Sequence, residues 1–172
     1  FFLVVGFLLM IVMRWQLAWP TSPLPPALAA VVGADNAPGG YMLPEFYNQL
    51  VAMHGTVMIF LAVVPLLTGA FGNYLVPLLV GAPDMAFPRL NAASFWLFFA
   101  AGVVMLASFG VPGGAANSGW TSYPPLAVFA TRGQDLWLTG ILLLGVSSTL
   151  NAINIIVTVV QLRVEGLTLL RL

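Results

Sequence analysis

The chain has no cysteine, no lysine and a single histidine among its 172 residues, and only 6% of them are charged. Without cysteine there can be no disulfide, thiolate metal site or iron–sulfur cluster, which leaves His54 as the only conventional soft-metal or haem ligand apart from methionine. Five arginines balance five carboxylates at a formal net charge of zero, so there is no electrostatic footprint for nucleic acid. What is present is hydrocarbon. A hydrophobic content of 60% and a mean hydropathy of +1.02 lie far outside the range of a soluble domain of this length. The chain reads as an all-α integral membrane protein.

Three stretches carry no Asp, Glu, Lys or Arg: Phe46–Pro83, Leu90–Thr131 and Leu136–Leu162. Each exceeds the roughly 20 residues a helix needs to cross a hydrocarbon core of about 30 Å. Phe1–Met13 has no initiator Met, no basic n-region and no small-residue cleavage site, so it reads as the end of a further membrane helix rather than a signal peptide, and the chain as a fragment. The expected spans, all within one transmembrane domain of up-and-down helices, are 1–17, 46–79, 91–110 and 136–162. Between them, Trp19–Pro44 is rich in proline and glycine, cannot continue a helix and is expected to be an ordered extramembrane loop. Val80–Pro88 is a short turn, and Val111–Gln134 a longer loop with Trp120 and Tyr123 as interfacial aromatics. Arg89, Arg163 and Arg171 fall on one side against Arg132 on the other, which puts the Asp84 turn inside. Arg14 follows thirteen apolar residues and either snorkels to the outer interface or lies within the slab.

With that orientation His54 lies about 12 Å below the outer end of its helix, and Asn73 about 28 Å deeper, less any shortening from kinks at Pro65 and Pro77. An imidazole in hydrocarbon needs a partner, and two are open to it: a metal or haem iron, or a carbonyl of an adjacent helix. In the last span Ser147, Asn151, Asn154 and Thr158 recur at i, i+4, i+7 and i+11 on one face, with Ser148 at its edge. Asn91 and Ser94 form a similar pair near Asp84. Such groups either bond neighbouring helices or line water, and with Asn73 they would order a water chain leading inward from a carboxylate. A haem-free transporter and a non-catalytic structural subunit are the rival readings of the same pattern.

YNQLVAMHGTVMIF (Tyr47–Phe60), FGNYLVPLLVGAPDMAFPRLN (Phe71–Asn91), SFW (Ser94–Trp96), SGWTSYPPLA (Ser118–Ala127) and GVSSTLNAIN (Gly145–Asn154) together resemble the catalytic subunit I of haem–copper terminal oxidases, in order and near spacing. The GAPDMAFPR turn resembles the cytochrome c oxidases more than the related quinol oxidases. The resemblance implies a partial helix 1 plus helices 2–4 of a twelve-helix subunit, in a respiratory oxidase that reduces oxygen to water and couples this to proton translocation. It makes His54 an axial ligand of the low-spin haem, with haem a expected, and brings Arg14 to that haem's formyl group. It places Trp120 and Tyr123 near the haem propionates. It makes Asp84 the mouth of a proton pathway, with Asn73, Asn91, Ser94, Ser147, Ser148 and Asn154 holding water along it. The second axial ligand, the high-spin haem and the copper belong to the remainder of subunit I. Implied partners are that remainder, a copper-bearing subunit II, subunit III, cytochrome c as electron donor, membrane lipid and a respiratory supercomplex. The implied location is a bacterial plasma membrane, favoured over the mitochondrial inner membrane. Where the family often has a carboxylate two residues after Arg14 this chain has Gln16, which argues against a peripheral ion site there.

Overall fold

The computed structural model describes residues 1–168, so the part of the orientation argument that rests on Arg171 lies outside the described residues. Among the described residues five helices follow in order: α1 (Phe2–Ala18), α2 (Pro26–Val32), α3 (Pro44–Val80), α4 (Pro88–Gly110, its last turn a 3₁₀ turn) and α5 (Gly133–Gln161). No strand is present among the described residues, where the only β-type pairing is an isolated bridge between Ala115 and Gly133. Helices α3, α4 and α5 are long and apolar enough to cross a membrane, and the molecule is an all-α integral membrane protein.

Proline marks three helix starts. Pro26, Pro44 and Pro88 each stand in the first turn, where a missing N–H costs nothing and a fixed φ favours the helix. This is why α3 and α4 begin a little before their charge-free cores, and why the Trp19–Pro44 segment, expected as loop throughout, contains α2 and a 3₁₀ turn at Pro38–Gly40. That segment is also packed down: Leu24, Val32, Ala37 and Met42 are buried together with Val12 of α1 and Phe46 and Leu50 of α3.

Helix α3 is not uniformly wound. It is α-helical over Pro44–Thr56, π-helical over Val57–Val63 and Pro65–Gly72, and α-helical again over Asn73–Val80. Pro65 lacks an N–H to donate and its ring crowds the carbonyl four residues back, and the wider winding on both sides of it makes room for that ring. Because π winding advances less per residue, the middle of α3 is shorter than an all-α count allows.

Close packing replaces the hydrophobic effect as the force between helices in lipid. The most extensive interface pairs α4 with α5, while α1 lies against the N-terminal half of α3. At the first of these Gly140 is required. A Cβ there would stand 3.0 Å from Met105 Cε and 3.1 Å from the Ala101 carbonyl, so the missing side chain lets the backbones approach. Met105 is fully buried and sits in one cluster with Phe2, Met53, Val57, Leu61 and Trp137, which joins α1, α3, α4 and α5 around the segment that carries His54.

Candidate functional site

His54 lies in the last turn of the first α-helical stretch of α3, Pro44–Thr56, immediately before the π-helical stretch. Its Nδ1 is 2.9 Å from the Gly6 carbonyl of α1. A carbonyl oxygen only accepts, so Nδ1 must carry the proton, and the neutral ring then holds its free lone pair on Nε2. Both partners anticipated for the histidine are therefore compatible: the carbonyl takes one nitrogen and leaves the other as a potential ligand. An N–H bond to a backbone carbonyl is also how a metal-binding imidazole is usually oriented and made more basic.

Gly6 makes the contact possible. A Cβ at this position would stand 2.5 Å from Met58 Sδ and 3.3 Å from Val57 Cγ1, so a side chain here would have to displace the Met58 thioether and crowd Val57. Gly6→Ala is expected to cost about 1–3 kcal/mol through overpacking and to loosen the His54 bond. A lower Tm in detergent, together with a broadened signal from whatever His54 binds, is the result to look for.

Around His54 the structure adds groups that periodicity did not single out. The buried Trp137 indole N–H donates to Thr56 Oγ1 at 3.0 Å, and the Thr56 hydroxyl donates to the Ala52 carbonyl at 3.0 Å, which fixes the register of α5 against α3 two residues beyond the histidine. Gln49 is buried on α3, donates to the Gly113 carbonyl at 2.9 Å and accepts from the Ala115 N–H at 3.0 Å. These bonds hold the α4–α5 loop onto α3. A lone glutamine within a charge-free stretch was the one available signal, and it resembled many solvent-facing glutamines. On the same loop Trp120 reaches the histidine's neighbourhood: its Cδ1 is 3.7 Å from a Cβ built at Gly55, and its ring lies 6.1 Å from that of Phe60, one π-turn further along. Tyr123 is exposed, as is Arg14, which stands on α1 about 12 Å beyond Gly6 toward the helix's C-terminal end.

The second group lies at the other end of α3. Asp84 sits exposed in the α3–α4 turn, its Oδ1 accepting the Met85 N–H at 2.7 Å. Helix α5 holds this turn. The Ala86 N–H donates to Thr158 Oγ1 at 2.9 Å, the Phe87 N–H donates to Asn154 Oδ1 at 2.8 Å, and Asn154 Nδ2 returns a bond to the Phe87 carbonyl at 3.3 Å. Asn73 Nδ2 donates to Asn91 Oδ1 at 3.0 Å, the Ser94 hydroxyl to the Asn91 carbonyl at 2.8 Å and the Ser147 hydroxyl to the Ser94 carbonyl at 2.6 Å. Asn73, Asn91, Ser94 and Ser147 thus form one connected run across α3, α4 and α5. Asn73 Oδ1 and Asn151 Oδ1 are buried acceptors that meet no donor among the described residues. Ser148 is set apart: it is exposed on the neighbouring face of α5 and donates to the Gly145 carbonyl of its own helix at 3.0 Å.

The family model described as Cytochrome C and Quinol oxidase polypeptide I matches residues 1–172. The chain belongs to this oxidase subunit family. Among curated relatives it is 50% identical over 130 residues, 75% of this chain, to the cytochrome c oxidase subunit 1 of Synechocystis sp., of which it covers 23%. It is 45% identical over 167 residues, 96% of this chain, to the cytochrome c oxidase subunit 1 of Thermostichus vulcanus, of which it covers 27%. With the alternative cytochrome c oxidase subunit 1 of Bradyrhizobium diazoefficiens it shares 44% identity over 131 residues, 73% of this chain and 22% of that protein. The chain therefore spans about a quarter of the length of the curated relatives it matches.

Membership of this oxidase family implies haem, and the donor set can be tested against it. One imidazole with an anchored Nδ1–H and a free Nε2 fits axial ligation of a low-spin iron. Among the described residues no cluster of three His, Cys, Asp or Glu side chains could hold a separate metal ion, and His54 is the chain's only histidine, so this chain could offer an iron one imidazole.

Proposed function

We propose that this chain is the N-terminal portion of subunit I of a bacterial cytochrome c oxidase, where it holds one side of the low-spin haem and forms the inner mouth of a proton-uptake path. The observation that carries the reading is the His54 Nδ1 to Gly6 carbonyl bond, because it fixes the tautomer and aim of the one ligand-capable side chain. When bound, haem a would accept and pass on single electrons. His54 would hold its iron through Nε2. Arg14 would lend positive charge toward its formyl side. Trp120 and Tyr123 would border its propionates from the outer loop. Oxygen reduction itself belongs to the high-spin haem and copper of the remaining chain, and electrons from cytochrome c would arrive through a copper-bearing subunit II, within an assembly that includes subunit III.

On the inner side, Asp84 would collect protons from solvent at the exposed turn, and its carboxylate is the one ionisable side chain of the cluster. Asn73, Asn91, Ser94, Ser147 and Asn154 would not titrate. Their part is to order water, and the unpaired buried acceptor on Asn73 supports this, since it meets no protein donor. Ser148 joins the proposed path by resemblance, with its hydroxyl on the face of α5 that the described residues leave open.

A reduced-minus-oxidised spectrum of the purified full-length complex tests the reading. A low-spin haem band with turnover on reduced cytochrome c is expected. Turnover on quinol alone would move the assignment to the quinol oxidases, and a spectrum without haem bands would favour a transporter.

A further inference from the structure

The loop between α4 and α5 carries Trp120 at the apex of a tight turn, Ser118–Ser122, and a single buried side chain grips both ends of it. Gln134, in the first turn of α5 and 3% exposed, accepts the Ser118 hydroxyl at 2.6 Å through Oε1 and donates through Nε2 to Ser122 Oγ at 3.0 Å. The turn closes on itself through the Ser122 N–H to the Gly119 carbonyl at 3.2 Å. Ser122 has φ of 48°, a left-handed conformation that residues with a side chain adopt only when their surroundings impose it. The bond from Gln134 is one such imposition.

The same face of α5 also fixes α3. Gln134 and Trp137 are three residues apart and so share a face, and Trp137 is bonded to Thr56, two residues past His54. Gln134 sets where Trp120 stands and Trp137 sets where His54 stands, both from one rigid helical turn. Trp120 lies against Gly55, the residue after the histidine, with 49% of its surface left exposed.

We infer that Gln134 is a positioning residue for the low-spin haem: it holds the Trp120 indole beside His54, so that the outer edge of the iron site stays walled from water. This rests on the haem-ligand reading above. A haem exposed to water favours the more highly charged oxidised state, so untying the turn lowers its reduction potential. Gln134→Met keeps length and volume but removes both bonds. Gln134→Glu keeps two acceptor oxygens to which both serine hydroxyls can turn.

The test is a redox titration of the low-spin haem in the full-length complex, with its ferric EPR line. Gln134→Met is expected to raise the oxidised-to-reduced ratio at a fixed potential about threefold or more and to shift the EPR line, with Gln134→Glu restoring both. In a Trp120→Ala background the methionine substitution should add nothing further. If Gln134→Met does not assemble, Ser118→Ala and Ser122→Ala each remove one of the two bonds and are read in the same way. A midpoint and EPR line unmoved by these variants, or a shift of equal size in the Trp120→Ala background, would overturn the inference and leave the ligand reading standing. An unsubstituted complex with no low-spin haem signal would overturn both.

Discussion

Replacing His54 by alanine in the full-length subunit is expected to abolish the low-spin haem signal. The side chain is the only imidazole the chain can offer, and its Nδ1–H is held by the Gly6 carbonyl so that Nε2 is the nitrogen left to bind. Removing even an outer partner of a metal ligand commonly costs tenfold to a hundredfold in affinity, so loss of the ligand itself should leave occupancy down by at least about a hundredfold. The check is the height of the low-spin band per mole of subunit, alongside a helical circular dichroism spectrum to show that the bundle persists. Retention of a full low-spin band would remove His54 from the site.

Asp84→Asn should leave that band untouched and slow proton uptake by about a hundredfold, within the usual range for loss of a positioned proton-transfer group. The substitution is chosen because it keeps shape. An asparagine Oδ1 can still accept the Met85 N–H that Asp84 takes at 2.7 Å, and the turn is held independently by Asn154 and Thr158. What changes is charge and the ability to titrate. Flow-flash measurement of proton uptake from the inner side separates the outcomes, and unchanged uptake and pumping would show that protons enter elsewhere.

Much of this was legible from residue order alone, for reasons that differ by element. The charge-free stretches mark α3, α4 and α5 because a bilayer imposes length and composition together. The i, i+4, i+7, i+11 spacing puts Ser147, Asn151, Asn154 and Thr158 on one face; Ser147 bonds α4 and Asn154 and Thr158 bond the turn before it, while Asn151 Oδ1 meets no donor among the described residues and Ser148, about 100° further round, bonds only its own helix. What stayed hidden was pairing between distant elements. Nothing near His54 announces that Gly6 will face it, since a lone glycine in an apolar helix has many uses. Gln134 and Trp137 sit where a helix start usually meets solvent, and only the folded loop reveals that they point inward. Proline misled in one place and helped in another: it forbids a helix interior but favours a first turn, so Pro26 opens α2 within a segment whose composition reads as loop. Pro65 announced a break in regular winding, and the structure has π winding on both sides of it.

The central claim is that His54 binds the iron of a low-spin haem through Nε2 while Gly6 holds Nδ1. A density map of the complete complex at side-chain resolution tests it most directly. The account predicts continuous density from His54 Nε2 to a haem iron, a second imidazole from the rest of the subunit on the opposite side, and Nδ1 within hydrogen-bonding distance of the Gly6 carbonyl. A map with Nε2 packed against protein or lipid and no iron beside it would contradict the account.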